Sequence, residues 1–273
     1  MSGRLALITG TGGLVPQVAA AAGAAGWQVT VFDLSGRADL AALAPVRLSL
    51  DDADAATARL RRSGADHLCT IGGLDFTTAQ RRAFVQALGG TAGITGTSDL
   101  KLTEAIAAFA DSAGMRLVGI QELLPGAIAT EGLIAGPRDG LPSAERCRAA
   151  IAAARTIGML DLGQAVVMAG DRLIAAEGVE GTAGLIGRVK DYVDRGVVDA
   201  RIGQIVLAKC LKPGQLRHID MPAIGPDTIS QGAAAGISAV LVEAGGTLLI
   251  ERAALETAAN RLGVTVAGLK LDE

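Results

Sequence analysis

The chain has 273 residues and a formal net charge of −3; half of its residues are apolar, 37 are glycine and only 2% are aromatic. A weakly acidic chain with no basic block and few rings for base stacking is not expected to bind nucleic acid. Its apolar runs are shorter than the ~20 residues of a membrane-spanning helix, and the N-terminus does not predict a signal peptide. Three widely spaced cysteines indicate free thiols in a reducing compartment.

The first half of the chain alternates between two kinds of apolar pattern. Short apolar runs predict strands at 4–10, 27–34, 46–50, 67–73 and 116–123. Between them, helical periodicity predicts helices at 13–26, 52–64, 77–90 and 99–114. Because strands that alternate with helices form βαβ units, we predict an α/β, Rossmann-like N-terminal domain with a parallel sheet over 1–135.

The second half predicts a distinct α/β domain over 143–273. Residues 124–142 contain three prolines and four glycines, which mark the boundary. A helix capped by Ser143 follows, and strand–turn–strand patterns at 166–177 and 240–251 predict two hairpins. Between these patterns, the predicted strand 204–211 leads into the stretch 209–229, called here the charged loop, which contains Pro213, Pro222 and Pro226. Asp227 or Thr228 is then predicted to cap a helix.

A glycine-rich turn, "ITGTGG", follows the first predicted strand. It contains Gly10, Gly12 and Gly13 but lacks the last glycine of a full G-x-G-x-x-G pattern, and Asp33 lies about 20 residues further on. Three interpretations stay open at this point. The turn binds a nicotinamide dinucleotide, it binds another nucleotide or phosphate, or it only connects a strand to a helix.

A second candidate site lies at the end of the first predicted hairpin. Glu177 and Glu180 precede Gly181 and Thr182, which open a predicted helix. Backbone N–H groups at a helix start, together with a hydroxyl, can hold a phosphate. Carboxylates beside a phosphate require a bridging divalent cation. The alternative is a capped helix on the surface without a ligand.

The charged loop is the third candidate site. Lys209 and Lys212 are three residues apart at a strand end, where they can approach one charged group. Asp220 lies between two apolar residues and therefore needs a partner. His218 is near, but one histidine does not make a metal cluster. The prolines restrict the loop to few conformations, and these residues together favour phosphate chemistry over an ordinary solvated loop.

The C-terminal half resembles the UDP-2,3-diacylglucosamine pyrophosphatases of the LpxI type. The resemblance runs through "IGMLDLGQAVVMAGDRLIAAEGVEGT", "LAKCLKPGQLRHIDMPAIGPDTI" and "AGISAVLVEAGGTLLIERAALETAANRLGVTVAG", and more loosely through "LALITGTGGL" and "GMRLVGIQELLP". It implies a Rossmann-like N-terminal domain, a distinct C-terminal domain and a homodimer. It also implies magnesium-dependent cleavage of the pyrophosphate of UDP-2,3-diacylglucosamine to UMP and 2,3-diacylglucosamine 1-phosphate in lipid A synthesis.

The resemblance also implies a role for each candidate residue. Asp220 takes the place of an aspartate that the family needs for activity, and would bind Mg²⁺ or orient the attacking water. Lys209 and Lys212 would neutralise the phosphates. The remaining expected ligands fall into two groups: a metal set of Asp220, Glu177 and Glu180, and a substrate-binding set of Gly10, Gly12, Gly13, Gly181, Thr182, Gln215 and Thr228.

Two departures from the family pattern keep other functions open. Ala183 stands where the family has an acid, and Gln121 stands where it has a histidine. Because of Ala183, a non-catalytic protein that binds a nucleotide-linked lipid is one alternative. A nicotinamide-dependent oxidoreductase is another, which depends on the "ITGTGG" turn and Asp33. For the hydrolase, we expect a cytoplasmic protein peripheral to the inner membrane.

Overall fold

The computed structural model describes residues 3–73, 76–89, 99–201, 203–214 and 216–270. The chain forms two compact units. One comprises the described residues of Met1–Gly126 and Gln215–Asp220, and the other those of Ala127–Gly214 and Met221–Glu273. A short part of the charged loop therefore belongs to the first unit, although the chain on both sides of it belongs to the second.

The first unit contains a five-stranded sheet in which every neighbouring pair is parallel. Its strand order is β3-β2-β1-β4-β5, the order of doubly wound nucleotide-binding folds. The elements are β1 (Arg4–Thr9), α1 (Val15–Ala24), β2 (Gln28–Asp33), β3 (Val46–Arg47), α2 (Ala53–Arg61), β4 (His67–Ile71), α3 (Thr78–Ala87), α4 (Asp99–Ser112), β5 (Arg116–Leu117) and α5 (Ile120–Leu123).

Alternation along the strands explains how this sheet is covered. Ala6 packs with side chains of α2, α3 and α4 in one apolar cluster, which includes Phe109 and Val85. Its neighbours Leu5 and Leu7 are also fully buried but point to the opposite face, because successive side chains alternate across a strand. A sheet buried on both faces requires the continuous apolar runs that identified these strands in the sequence.

The second unit contains a mixed six-stranded sheet of order β6-β13-β11-β9-β7-β8 and a parallel pair, β10 and β12. In the large sheet, β11 pairs parallel with both β9 and β13. The other pairs are antiparallel: β6 with β13, β7 with β9, and β8 with β7. The elements are β6 (Gly132–Ala135), α6 (Ala144–Met159), β7 (Ala165–Ala169), β8 (Arg172–Ala176), α7 (Gly181–Asp194), β9 (Ile205–Lys209), β10 (Ala223–Ile224), α8 (Pro226–Ala234), β11 (Ile237–Glu243), β12 (Leu248–Leu249), α9 (Arg252–Leu262) and β13 (Thr265–Leu269).

Helices cover both faces of this sheet. Val206, Ala208 and Leu241 pack against α6 on one face. Their strand neighbours, including Leu207 and Val240, pack against α7, α8 and α9 on the other face. The buried strands β9 and β11 therefore lie at the centre of a three-layer unit, and the residues that follow their carboxyl ends have fixed positions.

The predicted α/β fold with a parallel sheet is confirmed, and so is the hairpin at 166–177, where β7 and β8 pair antiparallel. Three local predictions are wrong. The segment 240–251 forms no hairpin, because β11 pairs with β9 and β13 while β12 pairs with β10. The predicted strand 116–123 splits into β5 and α5. Neither Asp227 nor Thr228 is the cap of α8, because Pro226 already occupies the first turn and Gly225 precedes it.

Among the described residues, no helix has both the length and the apolar character needed to cross a membrane.

Candidate active site

Lys209 is the last residue of β9 and is buried, with 6% of its surface exposed. Its Nζ donates to Thr182 Oγ1 at 2.7 Å and to the carbonyl oxygen of Ala223 at 3.1 Å. An ammonium that is held at the end of a central strand cannot move as a surface lysine does. Its charge therefore has one fixed position in the second unit.

Glu177 lies beside this lysine, after β8, and is 8% exposed. Its Oε1 accepts from Thr182 Oγ1 at 2.6 Å and its Oε2 accepts from the backbone N–H of Gln164 at 2.9 Å. Thr182 is the second residue of α7, so the start of that helix brings its hydroxyl between the carboxylate and the ammonium. Glu177, Thr182 and Lys209 form a hydrogen-bonded chain, called here the Glu177–Lys209 relay.

Lys212 is the second buried lysine at this edge of the sheet, with 8% exposure. Its Nζ forms an ion pair with Asp161 Oδ1 at 2.8 Å. Asp161 follows α6, which lies against the face of the sheet opposite to α7. Lys212 thus pairs with an acid that follows α6, whereas Lys209 contacts a hydroxyl of α7 on the other face.

Glu243 is a further buried acid that the sequence analysis did not select. It ends β11, is 8% exposed, and its Oε2 accepts from the backbone N–H of Leu211 at 3.0 Å. A Cβ on Gly246 would lie 2.7 Å from its Cδ, so a larger residue at that position would displace the Glu243 carboxylate. Glu243 thus fixes the backbone between Lys209 and Lys212. Its signal in the sequence was an acid at the end of an otherwise apolar strand.

The glycine turn of the first unit lies at the carboxyl edge of its sheet. Thr9, the end of β1, pairs with both Asp33 and Ile71, so β1, β2 and β4 end together. Arg37 Nη1 donates to the carbonyl oxygens of Gly10 at 3.2 Å and Gly12 at 2.6 Å. The turn is therefore held in place through its carbonyl groups.

Asp33 is used by its own loop. It is fully buried, and its two carboxylate oxygens accept from the backbone N–H groups of Ser35, Gly36 and Arg37 at 2.9–3.1 Å and from the Ser35 hydroxyl. In a dinucleotide site the corresponding acid binds the ribose hydroxyls. These bonds do not favour the nicotinamide interpretation of the glycine turn.

The loop segment before Asp220 is attached to the same edge of the first unit. Thr70, in β4, donates its hydroxyl to the carbonyl oxygen of Ile219 at 2.6 Å, and Ile219 is 8% exposed. His218 Nε2 lies 3.8 Å from Glu122 Oε1. Asp220 itself is partly buried, and its backbone N–H donates to Leu216 at 3.2 Å. The order in which strands are added to this sheet reverses between β1 and β4, and ligands bind at such switch points.

The structure assigns the predicted site residues to both units. The first unit holds Gly10, Gly12, Gly13 and Asp220, and the second holds Glu177, Glu180, Gly181, Thr182, Lys209, Lys212 and Thr228. Within the second unit, Glu177, Thr182 and Lys209 are in direct contact. Thr228 bonds locally: its Oγ1 accepts from the backbone N–H of Gly225 at 3.3 Å. The predicted ligand Gln215 lies outside the described residues.

Two of the three predicted metal ligands have other partners among the described residues. Both oxygens of Glu177 accept hydrogen bonds. Glu180 is exposed and pairs with Arg188. Its own backbone N–H, the Gly178 N–H and this arginine hold the pKa of its carboxyl below the usual range. Across the part of the chain that the structure describes, no group of three His, Cys, Asp or Glu residues could hold a metal ion.

The three cysteines are buried free thiols. Burial raises the pKa of Cys69 and of Cys210 to about 12. Cys210 is therefore protonated at neutral pH, although it follows Lys209 in the sequence. Because the thiolate and not the thiol is the nucleophile, Cys210 is not expected to attack a substrate. The polar groups of this edge are therefore suited to electrostatic work on an anion rather than to attack by sulfur.

Comparison with known proteins identifies the family of both halves of the chain. The model of the LpxI N-terminal domain matches residues 4–127, and the model of the LpxI C-terminal domain matches residues 130–267. The chain belongs to the LpxI family. It is also similar to the UDP-2,3-diacylglucosamine pyrophosphatase LpxI of Caulobacter vibrioides, with 40% identity over 126 residues. That alignment covers 45% of this chain and 44% of the relative, so it spans less than half the length of either protein.

One functional prediction requires correction. The magnesium-dependent form of the hydrolysis, with Asp220, Glu177 and Glu180 as ligands, is wrong in its metal requirement. The LpxI relative is named a pyrophosphatase, and none of the comparisons shows a metal requirement. The donor set does not fit either, because Glu177 and Glu180 are bonded to other groups within their own unit.

Proposed function

We propose that this protein hydrolyses the pyrophosphate bond of UDP-2,3-diacylglucosamine to UMP and 2,3-diacylglucosamine 1-phosphate, a step of lipid A biosynthesis. The observation that carries the proposal is the match to both LpxI domain models, which together extend from residue 4 to residue 267. The relative from Caulobacter vibrioides carries the name of this activity.

The two buried lysines support this chemistry. In the hydrolysis, a water oxygen bonds to one phosphorus, the bridging P–O bond breaks, and the water's protons pass to phosphate oxygens or solvent. Negative charge on the phosphates opposes the attack, so catalysis depends on positioning and on charge neutralisation. Lys209 and Lys212 have fixed positions in hydrogen bonds. We assign them to the diphosphate, with the Glu177–Lys209 relay holding the first of them.

Other residues of the second unit have supporting roles in this proposal. Gly181 and Thr182 form the start of α7, where backbone N–H groups and the helix dipole favour an anion. Glu177 orients Lys209 through Thr182, which replaces its expected role as a metal ligand. Thr228 stabilises the turn into α8.

In the first unit, we assign the nucleotide part of the substrate to the edge that carries the glycine turn. Gly10, Gly12 and Gly13 lie between the end of β1 and the start of α1. The bond from Thr70 to Ile219 fixes the segment that precedes Asp220 at this edge. We propose that Asp220 orients the attacking water, because a carboxylate can accept a proton from it.

The two acyl chains of the substrate reside in a membrane, so the protein has to bind its substrate at a membrane surface. Met159, Leu160 and Leu162 surround Asp161 and are 61–65% exposed. We propose that these three side chains contact the acyl region of a bilayer in a protein that is cytoplasmic and peripheral to the inner membrane. In vesicle co-sedimentation, the triple change to serine should lower binding several-fold, whereas Val197→Ser, at a residue 54% exposed, should not. A homodimer stays a prediction that light scattering can test.

A non-catalytic protein that binds the same lipid is the second candidate. Ala183 is exposed in the first turn of α7, where the resemblance predicts an acid. Without that acid, the chain would bind the diphosphate without cleaving it. Binding of substrate with no release of UMP would support this candidate.

The proposed hydrolysis is tested by the release of UMP from purified protein and UDP-2,3-diacylglucosamine in mixed micelles. We expect Lys209→Met to lower kcat/KM by about 10²–10³, the range for the loss of one electrostatic contact to a transition state. The matched control is Lys190→Met, because Lys190 is an exposed lysine paired with Asp194. Wild-type protein that binds substrate but releases no UMP would contradict the proposal.

A further inference from the structure

Asp161 occupies an unusual backbone position at the end of α6. The backbone N–H of Leu162 donates to the carbonyl oxygen of Ile157 at 3.2 Å, and the backbone N–H of Asp161 donates to the carbonyl oxygen of Gly158 at 3.0 Å. These two bonds define a Schellman motif, in which the residue after the helix cap adopts a left-handed conformation and is usually glycine. Here that residue is Asp161, with φ +53°.

Two local effects disfavour an aspartate at this position. The left-handed conformation is strained for any residue other than glycine, although aspartate and asparagine tolerate it best. In the described chain only Ala44, Asp161 and Glu251 have a positive φ without being glycine. A carboxylate at the C-terminus of a helix also opposes the helix dipole. The position of Asp161 in the chain therefore gives no local reason for an acid.

The contact that Asp161 makes with Lys212 supplies a reason. Its Oδ1 lies 2.8 Å from Lys212 Nζ, and the lysine side chain is 10% exposed while that of Asp161 is 28% exposed. The last turn of α6 also packs on the backbone of Lys212, since a Cβ on Gly158 would lie 3.4 Å from the Lys212 Cα. The end of α6 thus fixes both the backbone and the ammonium group of this lysine.

We propose that Asp161 is a positioning residue that holds the Lys212 ammonium where it meets the diphosphate of the substrate. The proposal rests on the function proposed above, in which Lys212 neutralises phosphate charge. Asp161 acts through the lysine and not on the substrate itself. Its carboxylate keeps a buried ammonium in one orientation, so that the lysine does not have to reorganise when the transition state forms.

Asp161→Gly separates this role from a role in folding. Glycine relieves the left-handed backbone, which offsets part of the stability lost when a buried ammonium loses an ion-pair partner, and a thermal melt shows whether the variant is folded at the assay temperature. UMP release should fall about 10- to 100-fold in kcat/KM, with most of the loss in kcat, because an interaction that matters in the transition state is removed. Asp161→Asn retains the shape of the side chain and should show the same loss in kcat.

Glu251→Gly is the matched control. Glu251 is an exposed acid with φ +48° before α9, so the substitution makes the same backbone change and the same change in charge. It should leave kcat/KM within about twofold. Full activity of Asp161→Gly beside an active wild-type protein would overturn the inference.

A second measurement does not depend on turnover. A short pulse of acetic anhydride, followed by peptide mass spectrometry, gives the acetylation rate of Lys212 relative to the exposed Lys190. We expect the rate at Lys212 to rise at least threefold in Asp161→Gly and to stay unchanged in Glu251→Gly. An unchanged rate at Lys212 would overturn the positioning role. An inactive wild-type protein that shows this rise would instead contradict only the proposed hydrolysis.

Discussion

Thr182→Val tests the Glu177–Lys209 relay. Valine retains the shape of threonine but lacks the hydroxyl that donates to Glu177 Oε1 at 2.6 Å and accepts from Lys209 Nζ at 2.7 Å. Each of these bonds includes a charged group, and such bonds contribute about 1.5–3 kcal/mol. Because neighbouring groups and water recover part of this energy, we expect the free energy of unfolding of the second unit to fall by about 2–4 kcal/mol.

Hydrogen exchange with mass spectrometry resolves this effect by region. Peptides from α7 and β9 should exchange faster in Thr182→Val, whereas peptides from β1 and β2 in the first unit should keep their wild-type rates. Thr182→Ser retains the hydroxyl and serves as the control. A difference of less than about 0.5 kcal/mol between the valine and serine variants in the α7 peptides would refute the relay, since this is the range of ordinary surface changes.

Two further predictions concern the rest of the chain. Gly72→Ala places a Cβ 2.0 Å from the Thr11 carbonyl oxygen at φ +88°. The free energy of unfolding of the first unit, measured by Trp27 fluorescence in urea, should therefore fall by about 2 kcal/mol or more. An unchanged urea midpoint would refute the close approach. Burial raises the pKa values of Cys69 and Cys210 from 9.0 to about 12, so the folded chain binds more protons than the unfolded chain between these values. Stability should therefore decrease as pH rises from about 9 to about 12, by at most about 1.4 kcal/mol per pH unit for each thiol, and a flat profile of urea midpoints would contradict this.

Local patterns were enough to predict most of the first unit. Its strands are short apolar runs because both faces of the sheet are buried, and glycines or polar residues mark where each run ends. Pairing between distant strands could not be predicted in this way. The Gly245–Gly246 turn indicated a hairpin, yet β12 pairs with β10, whose position depends on the loop before α8. The preference of a turn is local, whereas strand partners are chosen by the packing of the whole unit.

The candidate site shows the same division. Lys209, Lys212, Glu177 and Thr182 were selected from their residue types and from their places at element ends. Asp161 was not selected from the sequence, because its ion-pair partner Lys212 lies 51 positions further along the chain. The attachment of the charged loop to the first unit was missed as well, since the bond from Thr70 to Ile219 spans 149 positions. Glu177 was predicted to bind a metal, because the hydroxyl of Thr182 and the ammonium of Lys209 cannot be recognised as its neighbours before the chain is folded.

Cleavage of the diphosphate can be observed by ³¹P NMR of UDP-2,3-diacylglucosamine incubated with the wild-type protein. We expect both diphosphate signals to decrease together and two phosphate monoester signals to appear in equal amounts, one from UMP and one from 2,3-diacylglucosamine 1-phosphate. If the diphosphate signals persist although the protein binds the lipid, the protein is not a hydrolase of this substrate but a non-catalytic binding protein.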